Sequence, residues 1–291
     1  DQMDWGPSRS PAALATRLAD LQSGRMSPEA RALKDRFPDA ESNPLGAMSD
    51  PDWPESTPDE QDLFSNATVI LARRGVADSA ADKDRRLDML SSSSVELRAA
   101  WTTQEARSVE WAGLFLPDLD LDGMRSEIPQ AISVAEGIDS AAETLGVDVP
   151  KHKPSEAEWE AMKSQARGVV EISSRLESNE EATKQLAREY IPTLSLLVGP
   201  LGAARMVVLA GGRERLARMP SGSLQVLGAT GAMAAHRRGA PPPKHSPILF
   251  SMPLVSRSPR WVRGKVSRFL AGKCSIAVRV DHFNGEPWDE E

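Results

Sequence analysis

The sequence predicts a mainly α-helical chain, in which a long antiparallel coiled-coil domain precedes a second, all-helical domain. Three observations carry this. Two long stretches repeat seam positions at alternating steps of three and four residues. Pro192 interrupts the second stretch. Beyond it the charge balance reverses: residues 192–291 hold 14 Lys+Arg against 6 Asp+Glu, a net of +8, whereas residues 1–191 hold 21 against 36, a net of −15. The expected divisions are therefore 1–60, 61–191 and 192–291.

Residues 1–60 are rich in Pro, Ser and Asp ("SNPLGAMSDPDWPESTPDE"), with helices expected at 10–22 and 27–36. The opening "DQMDWGPSRS" has no basic-then-apolar signal pattern, and the lack of an initiator Met points to a trimmed or incomplete start. The first seam runs through Leu87, Leu90, Ser94, Leu97, Trp101, Gln104, Ser108 and Trp111. The second runs through Trp159, Met162, Ala166, Val169, Ser173 and Leu176, then more weakly through Glu180, Thr183, Ala187 and Tyr190. Ser155 with Glu158 three residues on reads as the capping box of the second helix.

Helices of this length span roughly 45 to 55 Å. They are matched well enough to pair as a hairpin, with "FLPDLDLDGM" through "VDVPKHKP" at the tip. The polar seam positions and the "SSSS" run weaken each helix alone and favour a partner. Leu97, Trp101, Trp159, Met162, Val169 and Leu176 are the expected self-association residues, and a homodimer through the coiled coil the expected assembly. An ordinary helical domain is the plainer alternative.

After Tyr190, "YIPTLSLLVGPLGAA" is too short and too broken to meet the roughly 20 residues a bilayer requires, so it reads as buried helix ends and no membrane partner is expected. Residues 201–220 read as a helix, a Gly-Gly break and a short helix bearing Arg213, Arg215 and Arg218; residues 221–239 read as a turn and an apolar helix. The run from Ala240 to Trp261 is too rich in proline for helix or central strand. A last helix is expected from Trp261 to about Asp281.

On a helical wheel, Trp261, Lys265, Arg268, Gly272, Ser275 and Arg279 share one stripe, while Val262, Val266, Phe269, Leu270, Ala277 and Val280 point elsewhere. Gly272 and Ser275 would let a phosphate backbone approach between the cations. Lys273 falls nearer the apolar side, among Cys274, Ile276, Ala277 and Val278. The preceding loop adds Lys244, His245, Arg257, Arg260 and Arg263, with few acids to balance them. That pattern points to a polyanion partner, although a solvated basic face is the more ordinary meaning of a charge run.

Catalysis is not expected. One cysteine forbids an internal disulfide or a Cys-Cys metal cluster, and the histidines at 152, 236, 245 and 282 have no metal-ligand spacing. Cys274 reads as core, "PSGSLQ" is not a nucleophile elbow, and "LVGPLG" and "VLAGGR" lack the Lys-Ser/Thr ending of a phosphate loop. No cofactor or metal is expected.

The stretches "EWAGLFLPDLD", "LAGGRERLARMPSGSLQVLGA" and "PPPKHSPILFSMPLVSRSPRWVRGKVSRFLAGKCSIAVRVDHFNGE" together resemble the Nop-domain family, most closely its archaeal-type box C/D ribonucleoprotein scaffold. The resemblance covers about residues 60–291 and is densest from 192 to 286. It implies a non-catalytic scaffold with a coiled-coil domain and a Nop domain. Such a scaffold binds a box C/D guide RNA at its kink-turn jointly with a small ribosomal-type kink-turn protein. An N-terminal α/β module would recruit fibrillarin, the methyltransferase of ribose 2′-hydroxyls in rRNA or tRNA. The setting implied is cytoplasmic in an archaeon and nucleolar in a eukaryote.

By the same resemblance Arg218, His245, Arg268 and Arg279 occupy RNA-contacting positions. His245 would stack on an extruded base, and the arginines would hold phosphates. Gln225, Gly228, Lys244, Arg263 and Lys265 lie on the same motifs. Stacking a ring on an unpaired base is worth roughly 1 to 3 kcal/mol. The chain departs from the family pattern in three places. Thr230-Gly231 replaces a Glu-Lys pair, no lysine-rich tail follows "NGEPWDEE", and nothing near the start resembles the strands of the fibrillarin-binding module. Two other classes remain open: a helical protein-protein adaptor whose basic face serves solubility, and a splicing-type Nop protein.

Overall fold

The structure, a computed structural model, describes residues 10–39 and 55–288, and among these every regular element is helical. Residues 1–9, and most of the Pro-, Ser- and Asp-rich run, lie outside the described residues. The chain divides into two compact units, Asp1–Asp82 and Lys83–Glu291.

In the first unit, α1 (Pro11–Gln22) and α2 (Pro28–Arg36) form where the sequence predicts, and α3 spans Pro58–Ser79. All three begin alike: Ser10, Ser27 or Thr57 caps the helix and proline follows. The capping oxygen satisfies a backbone N–H that the helix cannot, and proline has no N–H to lose there. Thr57 and Glu60 complete a capping box, and hydrogen bonds from the Thr57 backbone and then its side chain hold the Glu60 carboxyl below its ordinary range. α1 packs on α3 with Ala15 and Ala67 fully buried, and Arg74 Nη1 donates to Thr16 Oγ1 at 2.9 Å.

The second unit opens with α4 (Lys83–Phe115), followed by α5 (Glu127–Val134), α6 (Ile138–Leu145) and α7 (Glu156–Tyr190). α4 and α7 have 33 and 35 residues and pair along their length, the predicted hairpin. The second seam faces inward: Trp159, Met162, Ala166, Val169, Leu176, Thr183 and Ala187 are buried. On α4, Leu87 and Ser108 are buried while Leu90, Ser94, Leu97, Trp101, Gln104 and Trp111 are half-buried. Trp159, Met162, Val169 and Leu176 are thus buried within a single chain.

Polar seam residues pair the helices by hydrogen bonding. Asn179 Nδ2 donates to the Leu90 carbonyl and to Ser94 Oγ, both at 2.8 Å, Gln165 Nε2 donates to the Gln104 carbonyl at 3.2 Å, and Arg98 pairs with Glu180. A buried polar group is stable once partnered, so this imperfectly apolar seam still closes. At the tip, α5 and α6 fold over the hairpin around a core that includes Val109, Leu116, Ile128, Ile132, Trp159 and Met162. Trp159 Nε1 donates to the Glu136 carbonyl at 3.0 Å, and buried Glu105 pairs with Arg125 at 2.7 Å.

After Tyr190 come α8 (Pro192–Val198) and α9 (Pro200–Ala210), bent by 115° at Gly199 and buried in large part, as expected of helix ends. No single helix among the described residues is long and apolar enough to cross a membrane. α10 (Arg213–Arg218) follows the Gly-Gly break, then α11 (Ser221–Gln225) and α12 (Thr230–Arg237). The expected apolar helix in 221–239 is corrected here: it is two short helices, and no residue of α12 is buried. The proline-rich run also differs from expectation, since it contains α13 (Pro247–Ser251) and α14 (Pro253–Ser256). Proline opens each one, at the one helical position where it costs nothing.

α15 (Arg263–His282) closes the core formed with Leu87, Ile191, Leu194, Met206, Leu216 and Leu249. Cys274 is buried there, which pushes its thiol up to about 12, the core role expected of it. Three polar clamps join the base of the hairpin to this core. Asp281 accepts from the backbone N–H groups of Thr193 and Leu194, both at 2.9 Å, and so caps α8. Asp84 accepts from the Arg213 N–H at 3.0 Å, where Gly212 leaves room: a Cβ there would stand 2.8 Å from Asp84 Oδ2. Arg213 Nη1 donates to the Tyr190 carbonyl at 3.0 Å and the Asp281 carbonyl at 3.3 Å, with its guanidinium 4.1 Å from the Tyr190 ring centre.

Candidate nucleic-acid interface

Packing by α8, α10 and α11 decides which side of α15 faces solvent. Lys265, Arg268, Phe269, Lys273, Ile276 and Arg279 face outward, whereas Leu270, Cys274, Ser275, Ala277 and Val278 are buried. Three expectations are corrected. Ser275 lies inside, so no phosphate reaches it. Phe269 and Ile276 point out, at 61% and 49% exposure. Lys273 also points out, with Nζ 5.7 Å from the Phe269 ring centre. The wheel oriented the helix by its charges, but burial against three neighbours rotates the true outer face toward Phe269.

The turn before α15 and the first turns of that helix form one wall of a groove of about 1020 Å³. Trp261, Gly264, Lys265, Arg268 and Phe269 line this wall; Ser221, Gly222, Gln225 and Val226 lie at α11; prolines 241–243 and Lys244 make the other side. No carboxylate lines it. Gln225 is buried, and its Nε2 donates to the Lys244 carbonyl at 2.6 Å and to the Gly264 carbonyl at 3.4 Å, fixing the proline loop to α15. Its Oε1 accepts from Arg268 Nε at 3.5 Å. A concave surface with cations and exposed rings but no acid attracts an anion that also carries apolar faces.

The residues expected to touch RNA fall into separate groups. Gln225, Lys244, Lys265 and Arg268 meet at the groove. His245 stacks on Phe250 with ring centres 4.6 Å apart, and the Arg263 guanidinium lies 5.5 Å from that same ring. Arg263 also donates to the carbonyls of Ser258 and Ser256, both at 2.9 Å, so it braces the turn before α15. Arg279 Nε donates to the Ala217 carbonyl at 3.0 Å, beside Arg218, which pairs with Glu214 on the exposed side of α10. An exposed pair of that kind is weak and exchanges readily for a phosphate. Gly228 has φ 81°, a left-handed conformation that favours glycine, so its place in the motif serves the fold itself.

The sequence reading set Trp261 on the basic stripe and Phe269 off it, and counted neither among the RNA-contacting residues, although Lys265 and Arg268 lie between them. The available signal was the nearness of two rings to two cations in the sequence. Among the described residues no group of three His, Cys, Asp or Glu side chains could hold a metal ion.

The sequence pattern of the Nop family, described as "snoRNA binding domain, fibrillarin", matches residues 120–290. An uncharacterized NOP5 family protein of Methanocaldococcus jannaschii is 32% identical over 235 residues, covering 74% of this chain and 53% of that protein. Nucleolar protein 56 of Caenorhabditis elegans is 32% identical over 154 residues, covering 53% and 30%; that of Homo sapiens is 30% identical over 174 residues, covering 59% and 27%. The match thus spans about half the length of the archaeal relative and less than a third of the nucleolar ones. A chain of a solved fibrillarin/Nop5p complex is similar over 81% of each chain, with 21% identity and a TM-score of 0.46.

Proposed function

The chain belongs to the Nop-domain family, and on that premise we propose that it is a non-catalytic scaffold of a box C/D guide ribonucleoprotein. In this reading the part from Pro192 onward binds kink-turn guide RNA jointly with a small ribosomal-type kink-turn protein. The observation that carries it is the acid-free groove within the matched region, where Lys244, Lys265 and Arg268 converge beside two exposed rings. Cations at such a surface neutralise phosphates and release their counterions, which supplies affinity without base readout. Arg218 and Arg279 form a second patch for the RNA backbone, and His245, already stacked on Phe250, offers its outer face to an extruded base.

The region 61–191, whose helical hairpin is α4 and α7, carries protein contacts and self-association in this division of labour. With Trp159, Met162, Val169 and Leu176 buried inside it, a homodimer would engage its outer face, where Val95 and Val170 are exposed. Residues 1–60 would recruit fibrillarin for 2′-O-methylation. The expected setting is that of the relatives, an archaeal cell or a nucleolus.

The test is binding of the full chain to a box C/D kink-turn RNA, with and without the kink-turn protein. Cooperative binding, weakened in Arg268→Ala and in His245→Ala, is the expected result. Absence of binding at low salt contradicts the proposal and leaves the helical adaptor as the better account. A pull-down with fibrillarin tests that partner separately.

A further inference from the structure

We propose that Trp261 and Phe269 form a two-ring platform in the groove that stacks unpaired bases of the bound RNA. The inference rests on the reading above and names a binding subsite within it. Trp261 is 82% exposed, the highest value among large apolar side chains of the described residues, and Phe269 is 61% exposed. Isolated exposed apolar residues are common, but two large rings lining one groove are not a packing accident that solvent favours.

Three features favour single-stranded RNA as the occupant. Two cations, Lys265 and Arg268, lie between the two rings, Trp261 and Phe269, so a strand laid along this wall can set its phosphates on the cations and its flanking bases on the rings. The opposite wall is proline at 241–243; it lacks N–H donors there and offers apolar contact to a base or ribose without reading its edge. That wall is held in place by Gln225, so the slot exists before the ligand arrives. Charge complementarity excludes a basic peptide, since three cations line the groove and no acid does.

The test uses the full chain and two kink-turn RNAs that carry the same short single-stranded extension, with bases in one and abasic in the other. Wild type should bind the base-bearing RNA more tightly. Trp261→Ala should lose about tenfold on that RNA and nothing on the abasic one. Trp261→Phe should retain most of the affinity, and Arg268→Ala should weaken both RNAs alike. An unchanged melting temperature in Trp261→Ala is expected from its exposure.

Equal binding of both RNAs by wild type would overturn the platform, as would a Trp261→Ala variant that matches wild type or weakens both RNAs equally. A proline-rich or acidic peptide that occupies the groove while Trp261→Ala leaves RNA binding intact would do the same. If wild type binds the kink-turn itself in none of these, the scaffold reading fails and the platform with it.

Discussion

The two ends of α15 carry the same kinds of side chain and use them differently. At its N-terminal end Lys265 and Arg268 border an open groove, with only Gln225 Oε1 near Arg268. At its C-terminal end Arg279 is tied to the Ala217 carbonyl, Asp281 caps α8, and Arg213 reaches the Asp281 carbonyl. A backbone acceptor or donor left open nearby engages the charged group in the fold, as at Asp281 and in part at Arg279, and where none exists the whole group remains available to a ligand. The contrast separates the part of the helix that holds the fold from the part that meets a partner.

Asp281→Ala should break the closed end most severely. It leaves two buried N–H groups at the start of α8 without an acceptor and should lower the unfolding free energy by about 3 kcal/mol in urea titrations. A loss below about 1 kcal/mol would mean that water replaces the carboxylate and the clamp is not structural. Next in size, Arg268→Ala should weaken RNA binding about tenfold, the cost of one charge-assisted contact, with only a small loss of stability, because its contact to Gln225 Oε1 is long at 3.5 Å. Arg279→Ala should lower both, because its guanidinium also serves Ala217. Equal stability losses in the two variants would erase the distinction between the ends.

A smaller effect is expected at the capping box of α7. Hydrogen bonds from the Ser155 side chain and then its backbone hold Glu158 below the ordinary carboxylate range. A depressed folded value contributes stability above the unfolded pKa, and that stability is lost as pH falls through the folded one. Ser155→Ala should cost about 1 kcal/mol at neutral pH and flatten the acid limb of the stability profile. Smallest of all, Cys274 should not react with a thiol reagent at pH 8 until the chain unfolds, since its thiol sits at about 12. Fast native alkylation would show that the base core opens.

Much of the architecture is legible in the sequence because it rests on local rules. The Trp159 seam, the Ser155–Glu158 cap, the Gly-Gly break and the proline that ends α7 all act within a few residues, and each stands where those rules put it. The orientation of α15 was not legible, because Ser275 and Phe269 differ only in which neighbouring helix lies over them. The short helices α13 and α14 were missed because proline was read as a breaker, whereas at the first helical position it starts one. Site residues divide in the same way. The cations of the groove were found from charge, but the bracing roles of Arg263 and Gln225 depend on carbonyls that only the folded chain brings near.

The most direct test of the central claim, that the open end of α15 bears on an RNA backbone, is the salt dependence of kink-turn RNA binding by wild type and Arg268→Ala. The account predicts that log K falls linearly with log salt for wild type, and that Arg268→Ala reduces the slope by about 1. Identical slopes for the two proteins would contradict it.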